Sequence, residues 1–376
     1  MNEQQGQHDF QPFLAVYVVW HPGSTEATEL ARLMFTTFCA DPHTPALRGL
    51  GIPVKFRTSK SSEEVPDSIP FGKAMHTVVF ILADDNLAAE ARWSHYADGV
   101  VASALSADLV IPVILTAAAN LPPGLASVQG IPRLEGVQWE TEVLNHALHD
   151  VCRVLEPSAE KVRVFLSHSK HDGLGVTTEV RRYLRETAHL DEFFDAADIP
   201  DGTRFSEFLI GCAGSLPCLL AVQTDTYASR EWCRLEVLEA KRRQVPIVVL
   251  TALRNREQRS FPYMGNVPVV RWNEGVSLPV LVRELLIEVL RKRYFPKRVE
   301  ALWRQRGLTS SYQVLTSPPE LVTSLMYRAE TQDSQLGNLS RICVYPDPPL
   351  GTEELDLLLT MNPELNPVTP TMLLAL

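Results

Sequence analysis

Residues 161 to about 296 form a parallel sheet with helices on both faces, and three features of the sequence predict it. Short runs rich in Val, Leu and Ile alternate with amphipathic stretches, as strands covered on both faces require. Five such runs occur in succession, each joined to the next by a segment long enough to cross over and return. The first 155 residues repeat the same alternation more loosely.

The strands of the later segment are KVRVFLS (161–167), DEFFDA (191–196), CLLAVQT (218–224), VPIVVLT (245–251) and VPVVRW (267–272). Apolar residues at helical spacing place helices over 176–190, 204–215, 229–244 and 277–294. Five strands with right-handed crossovers give a flavodoxin-like α/β domain, whose ligands bind beyond the carboxyl ends of the strands. Site residues are therefore expected in the loops after Ser167, Ala196 and Thr224.

The first half has strands at FLAVYVVW (13–20), IPVKF (52–56), HTVVFILA (76–83) and DLVIPVIL (108–115), with helices at 25–39, 88–106 and 139–155. Each half has a strand, a short loop, a Trp-bearing helix and then a strand reading IPVILT (111–116) or VPIVVLT (245–251), which points to a duplicated domain. The polar stretch 57–72, with two prolines, takes the place of a second helix and is expected to be a loop. Beyond Phe295 the pattern weakens to one strand and one helix, followed by the Pro- and Asn-rich end NPELNPVTP (362–370), expected to hug the surface or be loosely ordered. The resulting division is 1–157, 158–298 and an extension over 299–376.

With 45% apolar and 21% charged residues, the 376-residue chain has an ordinary globular composition. No run reaches the roughly 20 apolar residues of a membrane span, and the amino terminus lacks the pattern of a secretory signal, so a cytoplasmic location without membrane contact is expected. A formal charge of −10 opposes phosphate backbones, which makes nucleic acid a poor partner. The basic residues Arg291, Lys292, Arg293, Lys297 and Arg298 read as a solvated helix end. Six cysteines without a CxxC pair or a Cys/His cluster indicate core thiols and argue against a metal site.

Three blocks carry a family resemblance: VFLSHSKHD (164–172), FFDAADIPDG (193–202) and SREWCRLE (229–236). In that order and spacing, over about 135 residues, they resemble the signature blocks of TIR domains. Trp232 and Glu236, four residues apart, share one helical face. In the NAD-cleaving members of the family a glutamate in this place is catalytic, so the resemblance puts that role on Glu236. The chemistry agrees, because breaking the nicotinamide–ribose bond builds positive charge that a carboxylate stabilises.

Trp232 offers a flat face for a ring of the substrate, with core packing as the competing reading. For Glu236 the competing reading is a solvated carboxylate pairing with Arg230 or Lys241. Ser167 and Lys170 end the first strand, where they would meet the pyrophosphate or ribose of NAD, although relatives carry arginines here. Asp195 and Asp198 would face substrate hydroxyls; Asp198 equally suits a cap or turn in Asp198-Ile199-Pro200-Asp201-Gly202, which corresponds to the BB loop that gates the pocket and contacts a neighbouring domain in related enzymes. His168 and His171 read as exposed loop residues.

In the first half Trp93 falls where Trp232 does, but Ala97 stands in place of the glutamate and the adjacent Asp98 projects about 100° further round. That half is expected to be a degenerate TIR-like domain that binds, scaffolds or senses. The resemblance thus implies an NAD glycohydrolase that needs no cofactor, NAD being its substrate, and that gives nicotinamide with ADP-ribose or a cyclic isomer. It also implies a setting in bacterial defence against phage, self-association through TIR domains, and an activating partner or assembly. The other classes are a non-catalytic TIR adaptor and a sensor of NAD-derived nucleotides. No GxGxxG, GxxxxGK[ST] or GxSxG motif supports a dehydrogenase, a P-loop NTPase or a serine hydrolase.

Overall fold

The computed structural model describes residues 11–41, 43–116, 121–136, 138–157, 162–186, 193–195, 218–257, 261, 263–274, 276–321 and 342–375. Its contacts divide the chain into two units, Met1–Ala147 with Tyr294–Thr309 and Leu148–Arg293 with Ser310–Leu376. This grouping differs from the three successive segments read in the sequence, since the carboxyl-terminal segment joins the second unit and 294–309 the first.

The first unit is built on a four-stranded parallel sheet of β1 (Leu14–Trp20), β2 (Val54–Arg57), β3 (His76–Ala83) and β4 (Leu109–Ile114), in the order β2-β1-β3-β4. All seven residues of β1 are buried, as expected of a central strand covered on both faces. Helix α1 (Thr25–Phe38) buries Ala27, Leu30, Ala31, Met34 and Phe38, one stripe at helical spacing, and Ser24 caps it by accepting from the Ala27 N–H. The single helix expected over 88–106 is two, α2 (Asp85–Ala89) and α3 (Ala91–Ser103). Asp84 starts α2 by accepting the Leu87 N–H, and Glu90, with extended backbone, both ends α2 and starts α3. Residues 58–75 contain no helix, in keeping with the polar loop read there. The short helix α4 (Pro123–Ala126) and helix α5 (Trp139–Leu155) follow.

In the second unit, β5 (Val164–His168), β6 (Phe193–Asp195), β7 (Cys218–Gln223), β8 (Ile247–Thr251) and β9 (Val269–Arg271) form one parallel sheet in the order β6-β5-β7-β8-β9. This is the flavodoxin-like α/β architecture the periodicity predicts. The chain leaves β5 for one side and returns to its other side, so the topological switch point lies between β5 and β7. Helices α6 (Leu174–Glu186), α7 (Glu231–Arg242) and α8 (Ser277–Gln305) accompany the strands. The helix expected over 204–215 lies outside the described residues.

Helix α8 continues eleven residues past its expected end at 294, with Pro296 inside it. The basic run on this helix is not solvated as the charge pattern suggested. Arg293 is mostly buried, bonded to Glu156 at 2.7 Å and to the Cys152 carbonyl at 3.2 Å. Burial pushes the Lys292 ammonium down to about 8.

The carboxyl-terminal segment has more structure than the one strand and one helix expected. It forms a three-stranded parallel sheet of β10 (Tyr312–Val314), β11 (Ile342–Val344) and β12 (Asn366–Val368), with helices α9 (Thr352–Met361) and α10 (Pro370–Ala375). The Pro- and Asn-rich end supplies β12, so it is ordered rather than loose. Its Pro367 has no N–H to donate, which an edge strand tolerates because only one side needs pairing. Leu315, Cys343, Tyr345, Leu350, Leu358 and Leu365 form a separate small core here.

Candidate active site at the carboxyl ends of β5 and β7

Helix α7 buries Cys233, Glu236, Val237 and Ala240. These positions make one apolar stripe at helical spacing, and Glu236 is the single carboxylate on it. Its side chain is 1% exposed, so the reading as a solvated carboxylate does not hold. Lys241, one of the two cations considered for it, is instead taken by both oxygens of Glu320, at 2.7 and 2.9 Å.

A buried carboxylate is costly unless hydrogen bonds replace its lost hydration. Ser167, the penultimate residue of β5 and fully buried, donates to Glu236 Oε2 across 2.5 Å. The same Ser167 hydroxyl lies 2.7 Å from the hydroxyl of Tyr227, also fully buried, on the single 3-10 turn Tyr227–Ser229 that precedes α7. Three elements thus converge on Glu236 at the switch point, where this fold class binds ligands. Burial pushes the Tyr227 phenol well above its ordinary range, and the Glu236 charge beside it adds to the effect. Burial, with Glu236 again contributing, pushes the Cys233 thiol up to about 12.

A second network, absent from the sequence reading, ties the two loops at this end together. Asp172 Oδ1 accepts from the hydroxyls of Thr224 and Thr226 at 2.7 and 2.6 Å, and Oδ2 accepts the Thr226 N–H at 3.0 Å. Ser169 meets the Thr226 hydroxyl at 2.8 Å. Burial raises the Asp172 pKa, but these hydrogen bonds outweigh it and hold the carboxyl down at about 2. The loop after β5 is thereby clamped to the loop after β7.

The remaining sequence candidates fall in different places. Trp232 is 50% exposed, so core packing does not account for it, and Leu235 one turn on is equally open. Lys170 is exposed on the turn after β5. The Ser167 hydroxyl, expected to meet the substrate, is committed to Glu236 and Tyr227 and lies out of solvent. Asp195 ends β6 in register with Leu166 of β5, and its side chain is not described. Asp198 and the rest of the turn-rich segment to Gly202 lie outside the described residues. His171 is exposed as read, whereas His168 ends β5 partly buried, its carbonyl 3.7 Å from the Cys233 sulfur. Sequence reasoning missed Tyr227, Asp172 and the Thr224/Thr226 pair. The polar run Thr224-Asp225-Thr226 at the carboxyl end of an otherwise apolar strand was the available signal.

Helix α3 of the first unit, which buries Trp93, Ala97 and Val100, carries no such carboxylate on its buried face. Trp93 and Ala97 are both fully buried in its core, and the Trp93 Nε1–H donates to the Ser62 carbonyl at 3.2 Å. Asp98 accepts the Gly124 N–H at 2.8 Å, which fixes it as a link between α3 and α4. At the end of β1, His21 is 3% exposed and meets Glu90 at 3.2 Å, its ring edge-on to Trp93.

The sheet order agrees with the domain type that the three sequence blocks resemble. Residues 164–274 match the family model of the TIR domain, which assigns that segment of the chain to this domain family. No curated protein matches the sequence. Among solved structures, the chain is similar at 10% identity to the C-terminal domain of glucosamine-fructose-6-phosphate aminotransferase from Francisella tularensis, with a TM-score of 0.21 over 76% of this chain and 85% of that one. It is similar at 6% identity to a LacI transcriptional regulator from Bacteroides fragilis, with a TM-score of 0.19 over 76% of this chain and 92% of that one. Scores this low carry no functional weight. Among the described residues, no helix is long and apolar enough to cross a membrane.

Proposed function

We propose that the second unit cleaves the nicotinamide–ribose bond of NAD with Glu236 as its catalytic carboxylate. The observation that carries this reading is the position of Glu236: a carboxylate on the core-facing stripe of α7, hydrogen-bonded to the end of β5 at the switch point. A helix whose only task is packing gains nothing from a buried carboxylate there, and an apolar residue of similar size costs less.

In the proposed reaction the C–N bond breaks with its electron pair passing to the pyridinium nitrogen, so nicotinamide departs neutral and the ribose carbon becomes cationic. Glu236 stabilises that cation, an interaction stronger away from bulk water. Water adds at the ribose carbon and loses a proton to give ADP-ribose; capture by a hydroxyl of the substrate gives a cyclic isomer instead. Trp232, half exposed one turn before Glu236, supplies a face on which a ring of NAD stacks. Lys170 and the carboxylates of Asp195 and Asp198 serve the phosphates and ribose hydroxyls. Because Glu236 is buried in the single chain, substrate entry requires a rearrangement, which we assign to assembly of TIR domains or to an activating partner.

Exposed Trp232 and Leu235 on neighbouring turns of α7 favour a second role, self-association of the kind an adaptor uses. The first unit, with Ala97 in place of the carboxylate, then acts as a TIR-like scaffold or nucleotide sensor. The setting proposed for both roles is cytoplasmic defence of a bacterial cell against phage. The test is nicotinamide release from NAD by concentrated protein, with and without a crowding agent, beside Glu236→Ala. Release lost in the variant supports the enzyme; equal release by both removes Glu236 from the chemistry.

A further inference from the structure

We infer that Tyr227 is a positioning residue which, acting through Ser167, holds Glu236 as an ionised hydrogen-bond acceptor. The inference rests on the catalytic reading of Glu236 for its purpose, but not for its geometry. A serine hydroxyl has one proton and accepts through its lone pairs. With the Ser167 proton directed at Glu236 Oε2, the 2.7 Å contact to Tyr227 must be donated by the phenol. The chain therefore runs in one direction, from Tyr227 to Ser167 to the carboxylate, and each bond polarises the next.

Protonating Glu236 on this oxygen removes the anionic acceptor of the chain. The carboxyl would then donate to Ser167, whose oxygen still accepts from Tyr227, and the Ser167 proton would lose its charged partner in a site with no exposure. A hydrogen bond to a charged acceptor is worth more than one to a neutral group, so the arrangement favours the ionised form. Desolvation pulls the other way, since burial alone would favour the neutral acid. The hydroxyl chain is what offsets it.

Among the described residues, the titratable groups that feel the Glu236 charge include Tyr227 from the turn and Cys233 from its own helix. Burial keeps both protonated at neutral pH, so neither competes with Glu236 for charge. Tyr227 is thus available as a donor across the whole working range. A purely structural tyrosine would act through its ring, which packs at 5.6 Å from Phe261, and its hydroxyl would be dispensable.

The test is a titration of the full chain labelled with 13C at the glutamate carboxyls, the Glu236 signal being assigned by its loss in Glu236→Gln. In Tyr227→Phe, which keeps the ring, the Glu236 midpoint moves upward by about one unit relative to wild type, because a donor to the charged form has been weakened. Ser167→Ala moves it in the same direction and serves if the phenylalanine variant folds poorly. An unchanged midpoint in a folded Tyr227→Phe overturns the inference. Nicotinamide release separates this outcome from failure of the catalytic reading. If wild type releases it and Glu236→Gln does not, the positioning role requires the acid limb of the Tyr227→Phe pH–rate profile to move with the carboxyl midpoint, and an unmoved limb sinks the role while leaving Glu236 catalytic. If wild type and Glu236→Gln release it alike, the catalytic reading falls, and the carboxyl titration still decides whether the hydroxyl chain sets the charge of Glu236.

Discussion

Ser167 and Glu236, 69 residues apart, meet across a 2.5 Å hydrogen bond that joins strand β5 to helix α7 inside the sheet's covering layer. The bond pins the carboxylate to the switch point of the fold. Several expectations depend on how the elements around that bond are held.

Asp172 is the latch between the loops after β5 and β7. Asp172→Asn weakens three hydrogen bonds to an anion, and the loss at pH 7 is about 1–2 kcal/mol after discounting for partial solvent exposure. The carboxyl is held at about 2 in the fold against the ordinary 3.8 of an aspartate. Its contribution is therefore fully present above about pH 4 and disappears as pH falls through 2. Urea unfolding of wild type and variant between pH 2 and 7 checks this: the two curves converge at the acid end.

Lys292 works in the opposite sense. Its ammonium is pushed down to about 8 from 10.5, so the unfolded chain binds more protons between those values. Stability gained from deprotonation rises with pH across that window and is absent below it. Lys292→Met removes the buried charge and stabilises the chain by about 1–2 kcal/mol at pH 7, with the advantage shrinking towards pH 10. Thermal unfolding at the two pH values measures the difference.

The last turn of α7 is tied to the carboxyl-terminal segment by Lys241, which also donates to the Gly265 carbonyl at 2.8 Å. Its side chain is 9% exposed and that of Glu320 22%, so this pair is shielded more than a surface ion pair. A double-mutant cycle with Lys241→Met and Glu320→Gln gives a coupling of about 1–3 kcal/mol, read from hydrogen-exchange protection of β10. A coupling near zero would show that the segment is held by its apolar contacts alone.

The two tryptophans separate packing from binding. Trp93→Ala empties a fully buried site and costs the first unit about 3–5 kcal/mol. Trp232→Ala, at a half-exposed site, costs under about 1 kcal/mol but raises the KM for NAD several-fold. Differential unfolding together with initial-rate kinetics distinguishes them.

Much of this architecture was legible in the sequence because strands buried on both faces carry unbroken apolar runs. β1, β3, β5, β7 and β8 are such strands, and each was found. β10 and β12, three residues each and partly polar, offer no run to read, and a proline such as Pro367 is tolerated in β12 only because that strand is at an edge. The break in α2 and α3 was hidden because Glu90 is a good helix former; tertiary context set its backbone. At the site, motif spacing located Glu236, and its place on the stripe with Cys233, Val237 and Ala240 was available as a further sign. Ser167 was located but given a substrate contact, since nothing in one strand reveals which hydroxyl faces a helix 69 residues away. Tyr227 resembles any buried aromatic until its hydroxyl is seen against Ser167.

The central claim is that the Glu236 carboxylate performs the cleavage, and Glu236→Gln isolates it because the amide keeps the volume and can still accept from Ser167. Nicotinamide release from NAD is measured for both proteins at matched high concentration, with circular dichroism confirming equal folding. A wild-type rate that falls by a factor of about 100 or more in the variant is the predicted result. Equal rates in two equally folded proteins would contradict it.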